Sequence, residues 1–294
     1  MDINSFAMHF PPGLTEKILM MGTKDLQEIR ITAQKNVVVQ KNGMLMELQI
    51  KISSQELLKI VESMCRGSLY AVQTSLVKGY LTIGGGHRIG VCGRVVCEKG
   101  NIVHMTDISA MCIRVSREVI GAADGIMSYL ECDKRLYNTL IISPPGCGKT
   151  TMLRDVARQL GNSHKVCIAD ERSEIAACRN GIPMHNIGRF SCVMDAVPKG
   201  AGISMLLRTM SPEIIVTDET GTPEEEAAIC EMINCGVKII TTAHGYSDRD
   251  VRKRKYLGSL IENGIFERII VLGNSKGIAT VEKIISDGRV IRRA

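Results

Sequence analysis

Two styles of apolar patterning divide the chain near residue 138. Before it, short runs alternate apolar with polar residues, as half-buried strands do. Leu14 to Ile31 begins with helical spacing and runs into a strand, and Asn36 to Gln40 and Met44 to Ile50 alternate around Lys41-Asn42-Gly43, which predicts a hairpin. Ser53-Ser54-Gln55-Glu56 then opens a helix, with Ser53 as N-cap, Glu56 at the third helical position and Leu57, Ile60, Val61 and Met64 on one face. Tyr80 to Ile83 and Arg88 to Val96 read as strands around Gly84-Gly85-Gly86, and Ile108 to Val115 as another.

After that point, continuous apolar runs replace the alternation. Leu140 to Ile142, Val166 to Asp170, Glu213 to Glu219 and Val237 to Thr242 are each bulky enough for a strand buried on both faces. Helical patterns separate them: Thr151 to Leu160 ending at Gly161 as a C′ residue, Gly200 to Met210, and a helix opened by Thr222-Pro223-Glu224-Glu225 that ends at Cys235-Gly236. Such alternation predicts a mostly parallel sheet. Arg268 to Leu272, Ala279 to Ile285 and a turn at Ser286-Asp287-Gly288 close the chain as an antiparallel extension. The expected architecture is therefore α/β, with an α+β domain over residues 1–138 before a core over residues 139–294. No internal repeat or low-complexity segment interrupts it.

The first strand of that core runs into the chemistry. Leu140 to Leu153 reads LIISPPGCGKTTML: a strand, a turn and a helix, the setting a phosphate-binding P-loop requires. Gly146 and Gly148 let the backbone of the loop Pro145–Thr151 fold back so that the N–H groups after Pro145, those of Cys147 and Thr151 among them, face phosphate oxygens at a helix N-terminus. Lys149 supplies a charge for β- and γ-phosphates, and Thr150 a hydroxyl for Mg²⁺. Ser143 stands where the strict pattern has its first glycine. The plain alternative, a strand-to-helix turn with an exposed lysine, fits less of the stretch.

Acidic residues recur at the ends of later strands, where ligands bind in such sheets. EIIVTDE closes on Asp218 and Glu219, a Walker B pattern in which Asp218 can hold the Mg²⁺ shell and Glu219 can polarise a water. Val166 to Asp170 leads into Glu171-Arg172-Ser173-Glu174, and Val237 to Thr242 into His244, a polar group positioned to sense a γ-phosphate. In the first domain, GGGHRIGVCGR places Arg88 and Arg94 beside a glycine turn. Either could be a solvated arginine or could fork onto a nucleotide phosphate in its own or a neighbouring subunit. Arg249, Arg252, Lys253, Arg254 and Lys255 read mainly as a solvated helical face.

Composition narrows the classes. The 294 residues are 45% hydrophobic, enough for one large domain or two ordinary ones. No run reaches the roughly 20 apolar residues of a membrane span, and the opening MDINSFAMHFPPGL lacks a charged region before an apolar one, so a cytoplasmic protein without membrane insertion is expected. The 11 cysteines show neither C-x-x-C pairs nor histidines at ligand spacing, which suggests free thiols. With a net charge of only +6, 3% aromatics and no tryptophan, a nucleic-acid translocase is disfavoured. An ABC transporter subunit is disfavoured too, since no L-S-G-G-Q-like stretch precedes the Walker B strand.

Taken in order, GHRIGVCGR, SPPGCGKTT, IADERSEIA, MSPEIIVTDE and TTAHG resemble the stage III sporulation protein AA family of endospore-forming bacteria over nearly the whole chain. That family is similar to type II and type IV secretion ATPases and to AAA-type ATPases. The resemblance implies a RecA-like P-loop core, ATP and Mg²⁺ as ligands, and a homo-oligomeric ring of six. It also implies membrane channel proteins of a sporulation complex between mother cell and forespore as partners. Lys149 and Thr150 match Walker A, and Asp218 and Glu219 match Walker B. Asp170, Glu171 and Glu174 match the acidic segment, and His244 the histidine segment. Secretion ATPases usually carry glycine where Asp218 stands, which leaves Glu219, Glu171 and Glu174 open as the catalytic base. An ATP-gated scaffold with little hydrolysis remains the alternative to a motor.

Overall fold

The computed structural model describes residues 4–65, 77, 79–83, 87–115 and 118–293. The chain forms two compact units, residues 1–117 and 118–294. The expected glycine turn at residues 84–86 lies outside the described residues.

The first unit is built on a six-stranded antiparallel sheet. Its strands are β1 (Leu26–Thr32), β2 (Asn36–Lys41), β3 (Met44–Lys51), β4 (Tyr80–Ile83), β5 (His87–Glu98) and β6 (Asn101–Arg114), in the order β3-β2-β1-β6-β5-β4. Asn42 and Gly43 both take positive φ, so the two-residue turn twists as a right-handed hairpin needs. The helix Ser54–Met64 begins with the expected capping box of Ser53 and Glu56 and buries Leu57, Ile60, Val61 and Met64. β5 and β6 run further than the sequence suggests and turn at Lys99-Gly100. Their outer halves expose apolar residues (Val95, Val96, Ile102 and Val103), so no period-two alternation marks them.

The second unit holds an eight-stranded sheet. Two short strands, β7 (Glu131–Cys132) and β8 (Arg135–Leu136), pair with each other before it. The sheet strands are β9 (Thr139–Ser143), β10 (Val166–Asp170), β11 (Ser191–Asp195), β12 (Ile214–Thr217), β13 (Lys238–His244), β14 (Arg268–Gly273), β15 (Thr280–Ser286) and β16 (Arg289–Arg293). They lie in the order β11-β10-β12-β13-β9-β14-β15-β16, parallel from β11 to β14 and antiparallel thereafter. Strand residues alternate between two cores. Ile141 and Val216 pack with Met152, Leu153 and Val156 of the helix Lys149–Leu160, whereas Leu140, Ile142 and Ile215 pack with the helices Lys199–Thr209, Pro223–Asn234 and Lys255–Glu262. Burial on both faces is why these strands are apolar throughout.

Three features differ from the sequence reading. Residues 118–138 belong to the second unit: Ala123, Ile126 and Leu130 sit in its core, and the Ala123 N–H donates to Asp155 Oδ2 at 2.8 Å. Edge strand β11 was not read from the sequence: its apolar run is only Cys192-Val193-Met194, and its residues are half-buried. Gly161 ends its helix with φ −66 rather than in the left-handed region, and its glycine is required by space. A Cβ there would stand 2.0 Å from Ser191 Oγ and 2.4 Å from the Ile187 carbonyl oxygen. The basic run spans the break between the helices Asp248–Arg252 and Lys255–Glu262, with Lys253 and Arg254 in the break and Arg249, Lys253, Arg254 and Lys255 exposed.

Candidate functional site

β9 runs between β13 and β14, and β12 lies one strand beyond β13. Parallel direction brings the carboxyl ends of β9, β13, β12, β10 and β11 to one edge of the sheet, so Ser143, His244, Asp218, Asp170 and Asp195 gather there from distant parts of the sequence. Topology, rather than any local signal, assembles this edge.

The loop after β9 has the backbone a phosphate cradle needs. Gly146 and Gly148 take φ of +76 and +82, and Gly148 caps the helix that starts at Lys149. At Gly148 a side chain would also collide with Ala279 Cβ at 2.8 Å, so only glycine lets the chain pass. Ser143 is fully buried, and its hydroxyl donates to the Pro144 carbonyl at 2.8 Å. Positive φ is absent at Ser143, which explains why glycine is not needed at that loop position. Cys147 is buried and its carbonyl accepts the Ala279 N–H at 3.2 Å, fastening the loop to the β14–β15 turn. Pro145 is exposed in the loop, and Thr150 and Thr151 are half-buried in the first helical turn.

Lys149 is buried, and its Nζ donates to Glu219 Oε1 at 2.7 Å. His244 Nε2 lies 2.7 Å from the same oxygen. Burial alone would raise the Glu219 carboxyl, but Lys149, with His244 and Arg172 behind it, holds it below the usual carboxylate range. Glu219 itself has φ +34, the left-handed region that side-chain-bearing residues seldom occupy. Its N–H donates to Thr242 Oγ1 at 3.0 Å, and the Thr220 N–H donates to the Thr242 carbonyl at 3.0 Å, so the loop after β12 is zipped to β13.

Asp218 is 4% exposed, and among the described residues its Oδ1 is buried with no hydrogen-bond partner. Desolvation pushes its carboxyl up to about 7, with Glu174, Asp170 and Glu219 adding to the rise and the Lys199 ammonium opposing it. An orphaned buried carboxylate oxygen next to Glu219, the partner of the loop lysine, has the chemistry of a ligand for a hard divalent cation such as Mg²⁺. Asp170 serves differently. It accepts the N–H groups of Glu174, Ile175 and Ala176, each at 2.9 Å, and so folds the acidic segment back on the strand end. Burial nevertheless keeps its carboxyl raised.

The remaining expected residues divide clearly. Glu171 approaches Lys199 Nζ at 3.8 Å, and the Glu174 main-chain carbonyl accepts from Arg154 Nε at 2.5 Å. Arg88 and Arg94 belong to β5 in the first unit: the Arg88 guanidinium stacks over the Tyr80 ring at 4.9 Å, and Arg94 pairs with Asp107 at 3.4 Å. Two residues escaped the sequence reading. Arg154 sits one turn along the loop helix, and Lys199 opens the helix Lys199–Thr209. A lysine at a helix N-terminus opposes the dipole, and that misfit was the readable signal.

Known proteins place this arrangement in context. The family model described as "Sporulation stage III, protein AA" matches residues 14–292. The Stage III sporulation protein AA of Bacillus subtilis (strain 168) is 40% identical over 276 residues, 92% of this chain and 90% of that protein. Among solved structures, the ATPase DotB of Legionella pneumophila superposes with a TM-score of 0.59 at 18% identity, over 89% of this chain and 76% of its own. The pilus retraction motor PilT with bound ADP gives 0.58 at 16% identity, over 88% and 76%. At those identities the two structures establish a shared fold, α/β with a RecA-like core, and nothing about role. The chain belongs to the sporulation stage III protein AA family.

Proposed function

We propose that this chain is a Mg²⁺-dependent ATPase of the secretion-ATPase type that energises or assembles a sporulation channel complex between mother cell and forespore. The observation that carries the reading is the convergence of Lys149, His244 and Glu219 within 2.7 Å contacts, next to the unpartnered Asp218 oxygen, at the mouth of a glycine-bent loop. Family membership supports the sporulation context.

In this reading the backbone from Pro145 to Thr151 cradles the phosphates, and Lys149 neutralises charge on the β- and γ-oxygens. Thr150 and Asp218 would hold Mg²⁺, which would supply charge neutralisation to a bound phosphate chain. Glu219 takes the proton of the attacking water, with Glu171 and Glu174 further from Lys149 as the lesser candidates. His244 contacts the γ-phosphate and orients Glu219. The chain works as a cytoplasmic homo-oligomeric ring of six, held at the membrane by its channel partners.

Phosphate release by the purified protein, alone and with its membrane partner, tests the proposal. Turnover above that of Lys149→Ala is expected. A wild-type rate equal to that variant's under both conditions would end the claim.

A further inference from the structure

Lys199 lies outside every motif that suggested an ATPase, yet it touches the centre of the site. Its side chain is only 11% exposed. Its Nζ donates to the Glu219 main-chain carbonyl at 2.6 Å and lies 3.3 Å from Glu225 Oε1 and 3.8 Å from Glu171 Oε2. A buried ammonium at the start of a helix is disfavoured twice, by desolvation and by the dipole, so these contacts must outweigh both.

The shortest of them is to a carbonyl, and that decides what the residue does. An ammonium serving only to neutralise acids would have a carboxylate as its nearest partner. Here it grips the backbone of a residue in the left-handed region, φ +34. The Glu219 N–H is fixed on the other side by Thr242 Oγ1 at 3.0 Å. Because peptide groups are planar, holding the N–H and the C=O of one residue sets both of its soft dihedrals and therefore the direction of its side chain. The anchor is firm as well. Glu225, the other close partner of Lys199, is locked by its Oε2 accepting the Gly221 and Thr222 N–H groups at 2.6 and 3.0 Å, in the capping box of the helix Pro223–Asn234.

We propose that Lys199 is a positioning residue for catalysis: with Thr242 it clamps the Glu219 main chain so that the carboxylate points at the phosphate loop. This rests on the reading of Glu219 as the group that activates water. Lys199 therefore contributes to turnover and not to nucleotide affinity, which Pro145 to Thr151 provide.

The test uses the full chain with Mg²⁺, comparing wild type with Lys199→Met, Lys199→Arg and Lys199→Ala. Steady-state phosphate release and the Kd of a fluorescent ATP analogue are measured on each. Lys199→Met should lose about 100-fold in kcat, the cost of displacing a catalytic group by about 1 Å. Its Kd should stay within about twofold of wild type, the pattern of an interaction made only in the transition state. Lys199→Arg should recover part of the loss. Lys199→Ala should regain turnover with added ethylammonium and not with propanol, which fills the space without the charge. Wild-type turnover in Lys199→Met overturns the inference, as does a parallel loss of affinity and kcat or equal rescue by the alcohol. Should Lys199→Met not fold, the amine and alcohol arms on Lys199→Ala decide by themselves. A wild-type protein without hydrolysis is a different failure, that of the ATPase reading, and it is visible before any variant is made.

Discussion

Lys149 Nζ and Glu219 Oε1 lie 2.7 Å apart, so the lysine of the glycine-bent loop is neutralised by the acid proposed as the catalytic base. In the proposed reading, a triphosphate entering the loop takes Lys149 from Glu219 and in doing so frees the carboxylate for water. Binding and activation of the base are thereby one exchange of partners.

That exchange predicts opposite effects of Glu219→Gln on two measurements. A neutral amide competes less for Lys149, so the nucleotide Kd should fall. Turnover should drop by about 10²- to 10⁴-fold, the usual worth of a general base. Equilibrium binding and phosphate release, run on the same preparation, check both. Weaker binding in this variant would show that the pair does not restrain Lys149.

Asp218 predicts an unusual pH dependence of stability. Its carboxyl is raised to about 7 by burial, so between about pH 4 and 7 the folded chain holds a proton that the unfolded chain has released. Its contribution is therefore fully present below the unfolded value and is lost as pH rises through 7, at a slope approaching about 1.4 kcal/mol per pH unit. Thermal unfolding in chelator should show the melting temperature of Asp218→Asn falling less steeply than that of wild type from pH 5 to 8. Mg²⁺ with a nucleotide should reduce the wild-type fall, since a cation replaces the proton. Parallel curves would place the titration elsewhere.

Glu267 predicts the opposite sign. Burial would raise its carboxyl, yet the Asn138 N–H at 3.0 Å, Lys238 at 3.0 Å and Arg135 at 2.8 Å hold it below the usual range. Its stabilisation is present above about pH 4.5 and is lost as pH falls through the lower folded value. Glu267→Gln should cost about 1–3 kcal/mol at pH 7, the worth of hydrogen bonds to a charged group, and the cost should shrink in acid. Chemical denaturation at pH 7 and pH 4 measures it.

Gly161→Ala tests the packing of β11. The added Cβ meets Ser191 Oγ and the Ile187 carbonyl at 2.0 and 2.4 Å, so the segment 187–191 must move. A loss of about 1–3 kcal/mol is expected, as for overpacked interiors. A variant as stable as wild type in denaturant would show that the edge yields without cost.

What the sequence determined by itself was whatever neighbouring residues decide. The strand, turn and helix from Leu140 to Leu153, the Asn42-Gly43 hairpin and the capping boxes of Ser53 with Glu56 and Thr222 with Glu225 depend on backbone geometry within a few residues, and each stands where the pattern put it. Even the parallel sheet follows from local facts, since strands apolar throughout and joined by helices have few other arrangements. The tertiary structure decided which strands became neighbours and therefore which side chains met. Lys149 and Glu219 are 70 residues apart, and Lys199 and Glu219 are 20. β13, inserted between the loop strand and the Walker B strand, carries both His244 and the Thr242 that fixes Glu219. The grip of Lys199 on a carbonyl had no signature beyond a lysine at a helix start, and the half-buried edge strand β11 none beyond the short run Cys192-Val193-Met194. Contacts of that kind depend on how the sheet brings distant segments to one edge, and no short window of sequence contains them.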